Sequence, residues 1–279
     1  MTTLIYRIKV IVAVILNALF ILDLCFIIQK KLYRNNFIRI INYHDTPGNT
    51  SGNFNRQLVY YRQHYSPVSL TELSSFLENG SWNRGKPGLI IAFDDGYKSN
   101  FSIAAPRLDE HGFVGWFFIP TDYMYAETNE SPKSLDGIPT MSWEEIKKLD
   151  KNHVIGSHTM SHHRMVAATP PARMNSEIAQ SKKVLEEQLQ HEISVFCWCG
   201  GETPTYNATA AMCIKQAGYR YALMTCSAPV LTDTPPLQLQ RTNIEADWPI
   251  ALVKFQLCGI MDILYWPKRK KVNSIVNTG

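Results

Sequence analysis

Seven short apolar runs set the tightest limit on what this chain can fold into. They lie at 37–43 (FIRIINY), 89–93 (LIIAF), 114–119 (VGWFFI), 153–157 (HVIGS), 194–198 (SVFCW), 219–224 (YRYALM) and 237–241 (LQLQR). Each is rich in β-branched and aromatic residues and reads as a strand. Helical patterns separate them. Phe54, Leu58, Tyr61 and Tyr65 recur at i, i+4, i+7 and i+11, and Ser142-Trp143-Glu144-Glu145 is a capping box opening a helix over 143–150. Residues 172–190 carry Ile178, Val184, Leu185 and Leu189 on one side, and 205–217 stop at Gly218, a natural helix terminator. Repeated β-then-α units with apolar strands imply a parallel sheet covered by helices. Seven units exceed a small open sheet, so the expected fold is α/β, a distorted (β/α)7-like barrel. The long loop 120–141, with Asn129, Pro132, Gly137 and Pro139, is expected to form a rim over a site.

The chain is long enough, at 279 residues with 45% apolar and 19% charged, to bury a full core. Those values exclude a disordered, collagen-like or disulfide-miniature protein. Net charge is only +4, too little for nucleic-acid binding, which wants a denser basic patch. Six cysteines stand at 25, 197, 199, 213, 226 and 258, with Cys25 inside an apolar stretch. No zinc-finger spacing is present, and Cys197 and Cys199 are too close for ordinary disulfide geometry, so the five others read as buried small hydrophobes.

Residues 10–28 read VIVAVILNALFILDLCFII, and this length of helix spans about 28 Å, the thickness of a hydrocarbon core. Asn17 and Asp23 weaken the segment, but the surrounding Ile, Val, Leu and Phe offset them. No small-x-small cleavage site follows, and Leu24 occupies the place where a lipoprotein needs a small residue before Cys25. The expectation is one uncleaved transmembrane helix ahead of the barrel, as a single-pass anchor with a basic juxtamembrane segment over 1–35. The opposing possibility is a buried soluble helix. Arg7 and Lys9 precede the span, whereas Lys30, Lys31, Arg34 and Arg39 follow it, which places the large domain in the cytoplasm by the positive-inside rule. The catalytic domain is assigned to 36–248. In the final segment, 249–279, Lys254 and Asp262 oppose a second span. An amphipathic helix followed by the basic run Pro267-Lys268-Arg269-Lys270-Lys271, near anionic headgroups, is expected there.

In a barrel of this kind ligands sit at the carboxyl ends of the strands. His44 follows 37–43, Asp94-Asp95-Gly96 follow 89–93, and His158-Thr159-Met160-Ser161-His162 follow 153–157. Three strands thus deliver two carboxylates and three imidazoles to one face. His158 and His162 are four apart, so one helical turn would point both the same way. Two imidazoles and a carboxylate make a facial triad that leaves positions open for water and substrate. Adjacent carboxylates are costly unless a cation or proton separates their roles, which suggests one metal ligand and one base acting on water that the metal activates. A histidine can then give a proton to the leaving group. Each histidine alone is better read as structural; the joint pattern is what points to a metal.

IAFDDGY at 91–97 and HTMSH at 158–162 resemble the first two motifs of the polysaccharide deacetylases, the NodB-homology carbohydrate esterases. NYHD at 42–45, SPVSLTEL at 66–73 and AGYRYAL at 217–223 resemble its circularly permuted branch, which includes biofilm poly-N-acetylglucosamine deacetylases. The resemblance covers about 38 to 245 and implies a metal-dependent hydrolase that removes N-acetyl groups from amino sugars of a polysaccharide or envelope glycan. By position, Asp94 would be the general base, His44 the general acid, and Asp95, His158 and His162 the ligands of a divalent ion, zinc. QLQRTNI at 238–244 resembles the later Arg motif, which makes Arg241 a residue orienting or tuning a carboxylate. The third motif departs from the family's Tyr-Pro-Tyr/Phe-Gly: here stand Trp198-Cys199-Gly200-Gly201. Gly200 N–H can still serve an oxyanion and Trp198 a substrate wall. The resemblance also implies an outward-facing domain, against the flanking charges. Two other functions compete: a catalytically silent carbohydrate-binding or scaffold protein, motivated by the third motif, and a non-haem iron oxygenase using the same triad.

Overall fold

The computed structural model describes residues 3–128 and 130–277; Asn129 and the two residues at each end lie outside the described residues. Its strands are β1 (Ile38–Tyr43), β2 (Ser66–Pro67), β3 (Gly88–Phe93), β4 (Gly115–Ile119), β5 (Ser134–Leu135), β6 (Ile138–Pro139), β7 (Val154–Ser157), β8 (Val195–Cys197), β9 (Tyr221–Met224) and β10 (Leu239–Asn243). Seven of them close a parallel ring in the order β1-β3-β4-β7-β8-β9-β10, because β1 pairs with both β3 and β10. These are the seven apolar runs of the sequence. The two-residue β2 shares one edge of β3 with β4, pairing only at Ser66↔Gly88 and Pro67↔Leu89. Closure leaves the ring without a free edge.

Strand alternation sorts the core into two layers. Ile40, Ile90, Ala92, Phe118 and Leu223 fill the barrel interior. Ile41, Ile91, Phe117, Ile155 and Phe196 point outward beneath the helices. The helices are α1 (Thr3–Ala18), α2 (Ile21–Leu32), α3 (Ser51–His64), α4 (Leu70–Asn79), α5 (Ala105–His111), α6 (Trp143–Leu149), α7 (Pro171–Leu189), α8 (Ala208–Gln216), α9 (Ile250–Leu257), α10 (Ile260–Leu264) and α11 (Trp266–Ile275). Both halves of the Ser142–Glu145 capping box form at α6, and a second box, Ser69–Glu72, opens α4. The rim loop folds a β5–β6 hairpin around Asp136-Gly137, both at positive φ (53° and 80°), as a two-residue primed turn requires.

The N-terminus differs from expectation. The single straight helix over 10–28 is two helices, α1 and α2, bent by 78° at Leu19–Phe20, where Phe20 is left-handed. Among the described residues no single helix is long and apolar enough to cross a membrane, although the bent pair passes that test together. Both helices dock on the domain. Asp23, the residue that weakened the predicted span, lies in the first turn of α2 and accepts a bond from Lys254 of α9 at 2.9 Å. Leu22, Phe26 and Gln29 are buried on the same side of α2. Residues 249–277 form three helices rather than one, and α9 is buried at Ala251, Leu252, Val253, Phe255, Gln256 and Leu257, so it is covered on nearly every side rather than on one face.

One buried ion pair pins both terminal segments to the barrel. Arg39 of β1 donates twice to Asp262 of α10, at 2.7 and 2.8 Å, and Gln29 of α2 and Ser227 each donate to the same carboxylate at 3.0 Å. Removing one partner of a buried pair strands the other charge and costs about 3–5 kcal/mol. Asp262→Ala is therefore expected to destabilise the chain by about that amount in denaturant melts, while Arg39→Met with Asp262→Leu recovers most of the loss.

Candidate active site

A cavity of about 380 Å³ opens at the carboxyl ends of the ring strands. His44 reaches it from the end of β1, Asp94 and Asp95 from β3, His158 and His162 from the segment after β7, Trp198 and Gly200 from β8, and Arg241 from β10. All eight sequence-derived candidates thus line one space. The rim hairpin contributes Asp136, and Arg164 and Glu202 complete the mouth.

The two adjacent carboxylates are held apart by backbone conformation. Asp95 and Gly96 are consecutive left-handed residues (φ 71° and 64°). The left-handed backbone at Gly96 favours glycine, and a Cβ there would lie 2.9 Å from Met124 Cε and push that flexible side chain aside. Asp94 is buried and accepts from Arg241 Nη1 at 2.6 Å. Burial alone would push the Asp94 carboxyl up; the Arg241 charge, helped by His158 and His44, overrides it and holds Asp94 below the usual carboxylate range. Arg241 is itself placed by Thr225 Oγ1 at 3.3 Å and lies over the Phe118 ring. The Cys197 thiol approaches Asp94 Oδ1 at 3.6 Å, and its burial pushes its pKa up to about 11, so it stays protonated.

His158 and His162 do not converge by a helical turn. Residues 158–162 form an irregular, bent loop with Thr159 and His162 left-handed, φ 65° and 55°. Glu177 of α7 braces that loop, accepting from Met160 N at 3.1 Å, Ser161 N at 2.9 Å and Ser161 Oγ at 2.6 Å. The i, i+4 spacing is thus met by two positive-φ residues and a distant carboxylate.

His158 and His162 place their Nε2 atoms 3.5 and 3.2 Å from Asp95 Oδ1. That oxygen is buried and accepts no well-aligned hydrogen bond. His158 Nδ1 lies 3.0 Å from the Cys197 carbonyl, which holds a proton there, so the neutral imidazole offers its lone pair on Nε2. Lone pairs facing a carboxylate oxygen at these separations repel unless a proton or a metal ion lies between them, and in the metal-free protein the His158 pKa is raised well above its ordinary value. Ligands about 2.0–2.2 Å from a tetrahedral ion stand roughly 3.3–3.5 Å from each other, so each Asp95–imidazole separation suits two ligands of one divalent ion. The groups whose donor atoms all lie within 4.8 Å of one another bring in the thiols: His158, His162 and Cys199 Sγ form one, and Asp94, His158 and Cys197 Sγ the other. Sequence reasoning missed these thiols as site residues, although the period-two spacing of Cys197 and Cys199 puts both on one face.

His44 is half-exposed, with Nδ1 3.6 Å from Glu245 Oε1. Burial would lower its pKa; the Glu245 carboxylate, with Asp94 and Asp95, outweighs burial and raises it to about 8. Asn243 donates to Glu245 at 2.9 Å and Asn42 to Asn243 at 2.9 Å, a relay across β10 and β1. Glu245 was also missed, since nothing in the local sequence pairs it with residue 44. Trp198 is buried against Tyr206, ring centroids 5.3 Å apart, with an indole Nε1 that lacks a partner. Gly200 has φ 82°, and a Cβ there would crowd Thr205 and Glu202 at 3.1–3.2 Å. Asp95 Oδ1, Trp198 Nε1, Arg241 Nε and Asn42 Oδ1 are all buried, unpartnered and on residues lining this one cavity, the mark of a site built to receive a ligand.

The polysaccharide deacetylase family model matches residues 82–222, half of the chain, and the chain belongs to that family. YxkH of Bacillus subtilis (strain 168), whose name places it in the same family, is 24% identical over 157 residues, 56% of this chain. The match spans about half (51%) of that relative's length. Among solved structures, the deacetylase PplD of Streptococcus pyogenes, in complex with acetate, superposes with a TM-score of 0.66 at 19% identity over 79% of this chain and 98% of its own. IcaB of Ammonifex degensii gives 0.67 at 20% over 80% and 97%, and the BpsB deacetylase domain of Bordetella bronchiseptica 0.61 at 16% over 76% and 97%. At these identities the likeness is one of fold.

In the metal-free protein, Glu245→Gln removes the main influence raising the His44 pKa. The expected outcome is a downward move from about 8 toward the ordinary histidine value, read from the His44 ring protons by NMR titration.

Proposed function

We propose that this cavity hydrolyses N-acetyl groups of amino-sugar residues in a polysaccharide or cell-envelope glycan. The observation that carries the reading is Asp95 Oδ1, buried and unbonded beside two imidazole nitrogens, next to an Asp94 already claimed by Arg241. Asp95, His158 and His162 would hold the divalent cation, and imidazole with carboxylate suits zinc. Bound there, the cation would lower the pKa of water and polarise the amide carbonyl.

The chain's own residues do the rest. Asp94, kept ionised by Arg241, takes the proton of the attacking water as it adds to the acetyl carbon. Gly200 N–H faces the oxyanion that forms on the carbonyl oxygen, and the Trp198 ring walls the sugar. His44, protonated at neutral pH because of Glu245, gives its proton to the amide nitrogen, and the C–N bond breaks to leave acetate and a free amine. Because the substrate is an envelope glycan in this reading, the domain faces outward.

The altered third motif favours a second reading, a glycan-binding protein without turnover. Acetate release from N-acetylglucosamine oligomers by the full chain with zinc separates the two. Asp94→Asn should lower turnover by about 10²–10⁴-fold with metal content unchanged, and His158→Ala should lose the metal itself. Undiminished turnover in Asp94→Asn overturns the mechanism; glycan binding without acetate release selects the second reading.

A further inference from the structure

The two terminal segments leave an apolar face that the barrel does not cover. Among the described residues, sixteen of the eighteen exposed large apolar side chains lie on α1, α2, their junction or Ile263–Trp266. Phe20 is 74% exposed at the bend, and Ile263 is 76% exposed on α10. A soluble surface seldom keeps so much contiguous apolar area uncovered.

The opposite faces of the same helices are committed to the protein. Tyr6, Val10, Ala13 and Leu16 of α1 pack on the core, and α2 is held by Asp23–Lys254 and by Gln29 on Asp262. Sixteen residues of α1 reach about 24 Å, short of a hydrocarbon core of about 30 Å, and the 78° bend turns α2 away from its axis. A spanning helix would have to abandon those contacts.

Charge separates along the same line. Residues 1–35 and 249–279 together carry ten Lys or Arg and two acidic residues, Asp23 and Asp262, both already in ion pairs. With a whole-chain charge of +4, these segments hold +8 and the body between them −4. Trp266, 56% exposed beneath Lys270 at 5.6 Å from its ring centroid, has the amphipathic character of a headgroup-level anchor.

We infer that the chain docks on an anionic lipid bilayer as a monotopic protein, the outer faces of α1, α2 and α10 sunk into the interface and the basic residues of α2 and α11 on the headgroups. The inference goes beyond the hydrolytic reading and does not depend on it. It also removes the conflict over orientation, since a pair that does not cross has no two sides for its flanking charges to divide. Lys268 of α11 donates to the Gly201 carbonyl in the cavity wall, and Arg269 to the Ser227 carbonyl at 2.6 Å, so the docked helix is tied to the substrate mouth.

The full chain, purified in mild detergent, is mixed with vesicles of phosphatidylcholine, alone or with phosphatidylglycerol, and floated on a density gradient. Flotation should be strong only with the anionic vesicles and should weaken as salt rises. Ile263→Asp with Leu264→Asp should cut partitioning at least about tenfold with an unchanged melting temperature, because both side chains are exposed. Lys270→Gln with Lys271→Gln should flatten the salt dependence. A cleavable tag ahead of Met1 and one after Gly279 should both be cut by protease added outside the vesicles. Protection of the first tag alone means a span and overturns the inference. So does unchanged partitioning of the Ile263/Leu264 variant, or a detergent-stable dimer that ignores lipid.

Discussion

Two consecutive carboxylates buried at the end of one strand are the constraint around which this molecule is arranged. Their mutual repulsion and desolvation must be met by positive charge on two sides. Arg241 meets Asp94 from β10, and the register that delivers it runs through β1, where Ile40 pairs with both Ile90 and Arg241. The ring must close for the acid pair to be tolerable. Asp95 faces the other way, toward two imidazoles whose own loop is held by a carboxylate from α7. Fold and site are therefore one electrostatic object: loosening any of three strand ends leaves a buried charge without its partner.

The departure at the third motif changes the wall of the site more than its charge. Against the motif that the sequence resembles, Cys199 puts a soft, polarisable atom at the proline position, Gly200 stands where the second ring would be, and Trp198 keeps an aromatic at the first position. Gly200 is fixed by its left-handed backbone and by the crowding of Thr205 and Glu202, so the loop has little room to vary there.

The ring was legible in the sequence because its strands are buried on both faces and read as unbroken apolar runs, and because chemistry gathered at their carboxyl ends. What was illegible depends on contacts between residues far apart. The bend at Phe20 has no Gly or Pro to announce it, and it accompanies contacts with a distant helix, among them Asp23 with Lys254. The HTMSH spacing suggested a helix because i, i+4 periodicity is silent about positive φ, which Thr159 and His162 adopt under restraint from Glu177. Arg39 was counted among charges flanking a span, yet it is wholly buried and neutralised by Asp262. The pairing of His44 with Glu245 joins the ends of the first and last ring strands, and neither residue has a local pattern that announces the other.

The strand made first is sealed by the strand made last. While the ribosome is still synthesising residues beyond Tyr43, β1 can pair with β3, but its other edge has no partner until Leu239–Asn243 emerges. A nascent chain of some two hundred residues thus carries an open sheet with an unpaired, strongly apolar edge through most of its synthesis. Closure joins residues far apart in sequence, which makes it a slow late event. Until translation finishes that edge is open to misassociation, and the apolar terminal helices add to the surface left uncovered.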